Sequence, residues 1–159
     1  MKLIKNIQVY APEDLGVKDV LISDSKIEKI DDHITYPYSI ETIDGTGCIL
    51  TPGLIDRHVH IPGGGGEAGF ISRARPIEAH EILDAGITTV IGLLGTDGYT
   101  RNTKELFAKA KELAQKGVHT YILTGSYTYP TYTLTDSVED DIVFIDSILG
   151  VKLALSDHR

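Results

Sequence analysis

The feature that most constrains the fold is a change in pattern after Pro52-Gly53, where short apolar runs begin to alternate with amphipathic helical segments. This alternation is typical of βα units, in which each helix returns the chain to the start of another parallel strand. The runs are rich in Ile, Val, Leu and Thr, as expected of strands buried on both faces. Four strands are predicted, at residues 54–59, 88–94, 120–124 and 151–155.

The intervals between these strands predict helices. The clearest covers residues 102–116, where apolar residues recur at three- and four-residue spacing and Gly117 provides a stop. Weaker helical patterns cover residues 76–85 and 137–149. With right-handed crossovers, residues 52–159 would form the first four βα units of an α/β fold, the first half of a (β/α)8 TIM-type barrel.

Residues 1–51 carry short β-like runs separated by turn residues. Asp24-Ser25 and Asp44-Gly45 lie where the chain would reverse, and Asp-Gly is a strong hairpin signal because glycine tolerates a positive φ. These residues predict a small, sandwich-like antiparallel β domain. Its strands are expected at residues 3–10, 19–23, 26–30, 38–43 and 47–51.

Composition narrows the partners. The formal charge of -8 and the pI near 5.1 argue against a nucleic-acid or anionic-membrane partner, since either polyanion would be repelled. The start of the chain lacks the apolar run of a signal peptide, and no stretch has the roughly 18 apolar residues of a membrane span. The single cysteine, Cys48, is interpreted as a small core residue. A cytoplasmic protein that acts on small molecules or other proteins is expected.

The first barrel strand leads into His58-Val59-His60. Residues two apart on a strand point to the same face, about 6.5–7 Å apart along the chain, so both imidazoles could bind one ion. An isolated pair of this kind could equally be two polar residues at a strand exit. Its position at the carboxyl end of a strand, where βα-barrels place their active sites, favours the metal site.

Two further segments suggest chemistry. Residues 63–66 are four consecutive glycines followed by Glu67, and such a run is either a flexible hinge or a loop whose backbone approaches a ligand closely. It lacks the Gly-Lys-Ser/Thr ending of a phosphate loop, so a cation such as a substrate ammonium is the better partner for Glu67. Lys152 lies in an apolar run, where an ammonium must be paired, neutralised or modified unless it extends to the surface.

Residues 52–60, Pro-Gly-Leu-Ile-Asp-Arg-His-Val-His, resemble the opening motif of the amidohydrolase superfamily, Pro-Gly-x-Ile-Asp-x-His-x-His. Within that superfamily, the sequence is similar to the isoaspartyl dipeptidases over essentially its whole length. The similarity is carried by residues 63–67, 92–97, 123–127 and 156–159. It implies a zinc metallopeptidase that hydrolyses the β-aspartyl bond of dipeptides.

The resemblance also implies a metal centre. His58, His60 and Lys152 would bind two Zn²⁺ ions, with Lys152 carrying a carbamate that bridges them. The remaining ligands of the family, two histidines and an aspartate, lie outside this sequence, so the 159-residue chain alone is expected to be inactive. A homo-oligomer is implied as well, for which an octamer is one candidate.

The substrate-binding roles are likewise implied by the resemblance. Glu67 would hold the free α-amino group, with Gly65 and Thr96 also in contact with the substrate. Tyr127 would act on the scissile carbonyl, and a phenol at a strand exit can donate a hydrogen bond to a developing oxyanion. Arg159 would bind the substrate carboxylate through its planar donor fork.

Two other interpretations remain open. A cyclic-amide hydrolase of the dihydroorotase or hydantoinase type would share the histidine pair and the lysine, but it has no evident need for the glycine loop and Glu67. A non-catalytic assembly subunit could keep the same fold and bind no zinc.

Overall fold

The computed structural model describes residues 1–155. The chain divides into two compact units, Met1–Pro52 and Gly53–Arg159. Within residues 1–155, every helix is too short or too polar to serve as a bilayer span.

The first unit contains one mixed five-stranded sheet. Its strands are β1 (Lys2–Tyr10), β2 (Asp14–Ser23), β3 (Lys26–Asp31), β4 (Glu41–Asp44) and β5 (Ile49–Leu50). The order is β3-β2-β1-β4, and β5 also pairs with β1. β1, β2 and β3 are antiparallel neighbours, and Asp24 and Ser25 make the predicted reversal between β2 and β3 with positive φ values of 47° and 65°.

The prediction of an antiparallel domain is wrong for β4 and β5, because both run parallel to β1. Asp44-Gly45 is therefore not a hairpin turn. The Gly45 N–H donates to Lys5 O at 2.7 Å, and a Cβ on Gly45 would lie 2.7 Å from the Ile7 Cβ. Gly45 thus lets the chain pass close to β1 and continue in the same direction. Residues 1–52 show one sheet, so a second sandwich layer stays a prediction.

Small apolar clusters stabilise this sheet. Leu3, Leu21 and Ile34 form one cluster, and a second contains Ile7, Val9 and Val20. Cys48 belongs to neither cluster and is exposed, which corrects its interpretation as a core residue.

The second unit is a parallel sheet with helices in the connections. The strands β6 (Leu54–Val59), β7 (Ile87–Gly92), β8 (His119–Thr124) and β9 (Ile148–Val151) pair in sequence order. All three pairings are parallel, as the βα pattern predicts. The helices are α1 (Ala79–Asp84), α2 (Thr103–Gln115) and α3 (Val138–Phe144), and a short 3₁₀ turn covers Phe70–Ser72.

Helix α2 provides most of the helical contribution to the core. Leu106, Ala110 and Leu113 are at most 3% exposed and pack in one cluster with apolar residues of β7 and β8. Burying each leucine contributes about 1.5–3 kcal/mol. The helix begins where the Asn102 side chain accepts a hydrogen bond from the Glu105 N–H at 3.0 Å, and it ends before Gly117, which has a φ of 94°.

Several boundaries in the second unit differ from the prediction. Helix α1 begins at Ala79 and not near Pro76, because Glu78 and Glu81 form a capping box there. Helix α3 ends at Phe144, and Ile148, only 3% exposed, starts the next strand. Gly150 therefore lies within β9 and does not end a helix, and Lys152 follows that strand.

The expectation that all four strands are buried on both faces is wrong for β6. This strand lies at one edge of the sheet, and its residues are exposed or half-buried.

Candidate metal centre and substrate pocket

His58 and His60 come together at the carboxyl end of β6. Their Nε2 atoms are 3.3 Å apart and their ring centroids 5.2 Å apart. The His58 N–H donates to Asp56 Oδ1 at 3.0 Å, which helps to hold the backbone at the strand end. Both imidazoles therefore direct the same ring nitrogen to one point.

The His60 ring fits between two glycines. A Cβ on Gly64 would lie 3.0 Å from His60 Nδ1, and a Cβ on Gly95 would lie 3.2 Å from it. Burial, together with the positive charge of Lys152, holds the pKa of His60 below its ordinary value. The neutral imidazole, which is the form that binds metal, is thereby favoured.

Lys152 follows β9 and lies at the same carboxyl end of the sheet. Its Nζ donates to Leu94 O at 3.1 Å and lies 5.1 Å from the centroid of the Tyr127 ring. Burial lowers the pKa of the Lys152 amine. The lysine is half-buried and lies at a strand end, rather than inside a strand as the apolar run predicts.

The histidine pair suits a zinc ion. Zinc binds imidazole nitrogen at about 2.0–2.1 Å in tetrahedral geometry, which places two ligand atoms about 3.3–3.4 Å apart. The 3.3 Å separation of the two Nε2 atoms matches this spacing. Among residues 1–155, no cluster of three or more His, Cys, Asp or Glu side chains could hold a metal ion. The prediction that a modified Lys152 is the third ligand stays a prediction.

The glycine run forms a tightly folded loop. Gly63, Gly65 and Gly66 have φ values of 95°, 72° and 103°, in the region that favours glycine. A Cβ on Gly65 would lie 2.3 Å from Ser72 O, and one on Gly63 would lie 2.4 Å from Ala74 O. These glycines are thus required for the loop to fold against its own backbone, which argues against a simple flexible hinge.

Glu67 and Thr96 meet across this loop. The Thr96 hydroxyl donates to Glu67 Oε1 at 2.9 Å, so the structure brings these two predicted substrate-binding residues together. They line a pocket of about 400 Å³, together with Gly65, Arg73 and other residues. A pocket of this size can hold a small ligand. Because Glu67 and Arg73 bring opposite charges to its lining, the pocket suits a charged ligand.

Tyr127 is half-buried in the loop after β8, and its ring lies beside the Lys152 amine. This loop is held by its own hydrogen bonds. The Ser126 N–H donates to Thr131 Oγ1 at 2.6 Å, and the Ser126 and Thr128 hydroxyls are 2.7 Å apart.

Asp141 stabilises the Tyr127 loop, a role that no sequence pattern reveals. Glu139, Asp140 and Asp141 all lie in the first turn of α3, where the helix dipole favours acidic residues, yet only Asp141 is fully buried. Its carboxylate accepts hydrogen bonds from the Thr124 hydroxyl, the Leu134 N–H at 2.8 Å and both the N–H and the hydroxyl of Thr135, at 2.7 and 2.6 Å. Burial opposes ionisation of this carboxyl, but the hydrogen bonds prevail and its pKa is lowered.

Arg101 is the other residue that the sequence does not reveal, since an arginine directly before the helix cap Asn102 resembles a surface residue. Its side chain is buried and bonds to the backbone on both sides of the glycine loop. Arg159, predicted to bind the substrate carboxylate, lies outside the described residues.

Known proteins resemble this chain over most of its length. The structure of the β-aspartyl dipeptidase of Fervidobacterium islandicum AW-1, in complex with β-Asp-Leu dipeptide, is 46% identical with a TM-score of 0.90. The match covers 99% of this chain and 42% of that one. The dihydroorotase of Streptococcus pneumoniae serotype 4 is 35% identical over 174 residues, which cover 100% of this chain and 40% of that protein.

Two further matches cover less of this chain. An imidazolonepropionase of Staphylococcus aureus strain JH9 is 37% identical over 95 residues, which cover 58% of this chain and 22% of that protein. The L-hydantoinase of Arthrobacter aurescens shares the fold, with a TM-score of 0.57 at 22% identity over 80% of this chain and 28% of that one. No protein-family model matches the chain. In each of these comparisons the chain spans less than half the length of its relative.

The chain belongs to the amidohydrolase superfamily. Within that superfamily, the predicted resemblance to the β-aspartyl dipeptidases is confirmed by structures that are 46% identical to it.

Proposed function

We propose that the protein containing this chain is a zinc-dependent hydrolase that cleaves the β-aspartyl bond of dipeptides. One observation carries the proposal: Glu67, held by Thr96 at 2.9 Å, provides a carboxylate in a pocket beside the glycine loop. Gly64, three residues before Glu67, lies against the His60 ring, so the loop that carries this carboxylate is beside the histidine pair. The β-aspartyl dipeptidase of F. islandicum AW-1, whose structure was determined with β-Asp-Leu dipeptide, is 46% identical.

His58, His60 and Lys152, the last as a carbamate, would hold the zinc ions. The carbamate would form when the neutral Lys152 amine attacks carbon dioxide and loses a proton, and burial favours the neutral amine by lowering its pKa. When bound, zinc lowers the pKa of a water molecule so that hydroxide is available near neutral pH.

The substrate would be oriented by the pocket. Glu67 would bind the α-ammonium group, with Thr96 fixing the carboxylate and Gly65 shaping the loop beside it. Tyr127 would donate its phenolic proton in a hydrogen bond to the oxyanion that develops on the scissile carbonyl. We further propose that Arg159 binds a substrate carboxylate.

This substrate fits the site better than a cyclic amide such as dihydroorotate. A β-aspartyl dipeptide carries an α-ammonium group that matches the charge of Glu67, whereas dihydroorotate has no cationic group and an anionic carboxylate. The 35% identity to a dihydroorotase supports the shared hydrolase class and makes dihydroorotate the natural competing substrate for a test.

We also propose that the complete enzyme is a (β/α)8 barrel and a homo-oligomer. Since residues 1–155 offer three candidate ligands, a two-zinc centre would need further ligands. Residues 1–159 on their own are therefore expected to show no turnover, and measurable turnover would contradict this expectation.

The substitution Glu67→Gln in the full-length protein tests the role of the carboxylate. It should lower kcat/KM for β-aspartyl-leucine by about a hundredfold, because the site loses the charge that binds the ammonium. Zinc content should not change. Glu139→Gln, which neutralises an exposed glutamate on α3, is the matched control and should keep the activity of the unmodified protein. Equal kcat/KM values for the two variants would contradict the proposed function.

A further inference from the structure

We propose that Arg101 is a positioning residue that fixes the glycine loop, so that Glu67 can select substrates by their α-ammonium group. The inference rests on the proposed function and adds to it a residue that does not touch the substrate. Arg101 acts through the backbone of the loop that carries Glu67.

The Arg101 guanidinium closes the ends of this loop. The residue is 5% exposed, and its Nη1 donates to Gly64 O at 2.9 Å while its Nη2 donates to Ala74 O at 2.6 Å. The same two residues are also joined directly, because the Ala74 N–H donates to Gly64 O at 2.9 Å. Residues 64–74 therefore form a closed loop anchored to one buried cation.

Ser72 connects the closed loop to Glu67. Its hydroxyl accepts from the Gly66 and Ala68 N–H groups, each at 3.2 Å, and donates to Gly69 O at 2.8 Å. Gly66 and Ala68 are the two neighbours of Glu67 in the chain, so the backbone on both sides of this carboxylate is held to one side chain. Glu67 thus depends on Ser72 locally and on Arg101 at the loop ends.

The two carbonyl bonds need a guanidinium. Its planar fork can donate to two separated acceptors at once, whereas a lysine ammonium is a single point of charge on a flexible chain. Arg101 directly precedes the cap of α2, which ties the loop to a helix packed in the core. Gly63 leaves room for this arrangement, since a Cβ there would lie 2.7 Å from Arg101 Nη2.

Loss of this anchor should weaken ammonium binding selectively. A misplacement of about 1 Å at a site can lower the reaction rate about a hundredfold. Under the proposed function, Glu67 is the group that distinguishes a ligand with an α-ammonium group from one without it. L-Aspartate and succinate make a suitable pair of probes, because succinate has the same two carboxylates and no ammonium group. The ratio of their dissociation constants measures what Glu67 contributes.

The test is calorimetric titration of the full-length protein with L-aspartate and with succinate. Arg101→Lys and Arg101→Gln should each lower the preference for aspartate by about tenfold or more, and the affinity for succinate should change less than about twofold. Arg75→Gln is the matched control. Arg75 directly follows the closed loop, but it is exposed and its guanidinium is paired with Glu81. This control should keep the preference of the unmodified protein.

The double variant E67Q/R101K separates the possible causes. If Arg101 acts through Glu67, the double variant has the same preference as Glu67→Gln alone, because the effects do not add. A substitution that only destabilises the fold would weaken both ligands equally, and that result would overturn the inference. If the Arg101 variants do not fold, Ser72→Ala, at an exposed position, provides a second test. It removes the hydroxyl that holds the backbone on both sides of Glu67, and it should give the same selective loss of aspartate binding.

The two proposals fail in different ways. If Glu67→Gln lowers the preference for aspartate but Arg101→Lys and Ser72→Ala leave it unchanged, the inference about Arg101 is wrong and the proposed function stands. If Glu67→Gln itself leaves the preference unchanged, the proposed function fails.

Discussion

Replacing Asp141 by asparagine keeps the size of a buried side chain but removes its charge. In the structure, one carboxylate oxygen accepts from the Thr124 hydroxyl and the Leu134 N–H, and the other from the N–H and hydroxyl of Thr135. Whichever oxygen becomes the amide nitrogen will face two donors. The hydroxyl of that pair can turn away, but the backbone N–H cannot. The variant therefore loses at least one backbone hydrogen bond and the charge assistance of the others.

These losses set the expected magnitude. A hydrogen bond to a charged group contributes about 1.5–3 kcal/mol, and a buried donor left without an acceptor costs about 1–3 kcal/mol. Because the bonds share one carboxylate, the terms overlap, and we expect Asp141→Asn to lower the free energy of unfolding by about 3 kcal/mol. Asp140→Asn, at the exposed neighbouring position, should change it by less than about 0.5 kcal/mol. Urea unfolding at pH 7 measures both values.

The pH dependence provides a second check on Asp141. Its folded pKa is lowered, so its contribution to stability is present above the unfolded pKa and is lost as the pH falls through the folded pKa. The difference between the unmodified chain and Asp141→Asn should therefore be constant from about pH 7 to 5 and shrink below about pH 4. Equal stability of the unmodified chain and Asp141→Asn at pH 7 would refute this reasoning. So would a difference in stability that stays constant down to about pH 3.

Three further predictions concern other parts of the second unit. Gly65→Ala should raise the KM of the full-length protein for a β-aspartyl dipeptide about tenfold to a hundredfold, because the new Cβ would lie 2.3 Å from Ser72 O and displace the Glu67 loop; an unchanged KM in steady-state kinetics would contradict it. Asn102→Ala should lower the unfolding free energy by about 1 kcal/mol in urea titration, because α2 loses its cap, whereas no change would show that the cap is dispensable. Leu113→Ala, at a fully buried position, should cost about 2–5 kcal/mol in the same titration, and a cost below about 1 kcal/mol would mean that the core repacks around the gap.

The sequence predicts best those features that depend on one element or on neighbouring residues. β6 occupies Leu54–Val59 as predicted, and α2 differs from its predicted range by one residue at each end, because its apolar stripe and its cap are local. The meeting of His58 and His60 follows from their two-residue spacing at the end of β6. The resemblance implied that Glu67 and Thr96 both contact the substrate. The structure shows that their side chains are hydrogen-bonded, a contact that no local pattern reveals.

The features missed by sequence analysis depend on partners distant in the chain. Asp-Gly at residues 44–45 is a common hairpin signal, but whether a strand runs parallel or antiparallel is decided by its neighbour, here β1. Arg101 bonds to two backbone carbonyls of the glycine loop, and Asp141 bonds to two backbone N–H groups and two threonine hydroxyls. Backbone groups are present at every position whatever the residue type, so they leave no mark in the sequence. Only the folded backbone shows that these two charges are buried.

The proposed function assigns the pocket at Glu67 to a zinc-dependent hydrolase of β-aspartyl dipeptides. The most direct test is kcat/KM of the full-length, zinc-loaded protein for β-aspartyl-leucine and for dihydroorotate, with zinc content determined on the same sample. We expect bound zinc and a preference for β-aspartyl-leucine of at least about a hundredfold. A preference for dihydroorotate would assign the protein to the cyclic-amide hydrolases, and a folded protein without zinc or turnover would indicate an assembly subunit. Either result would contradict the proposed function.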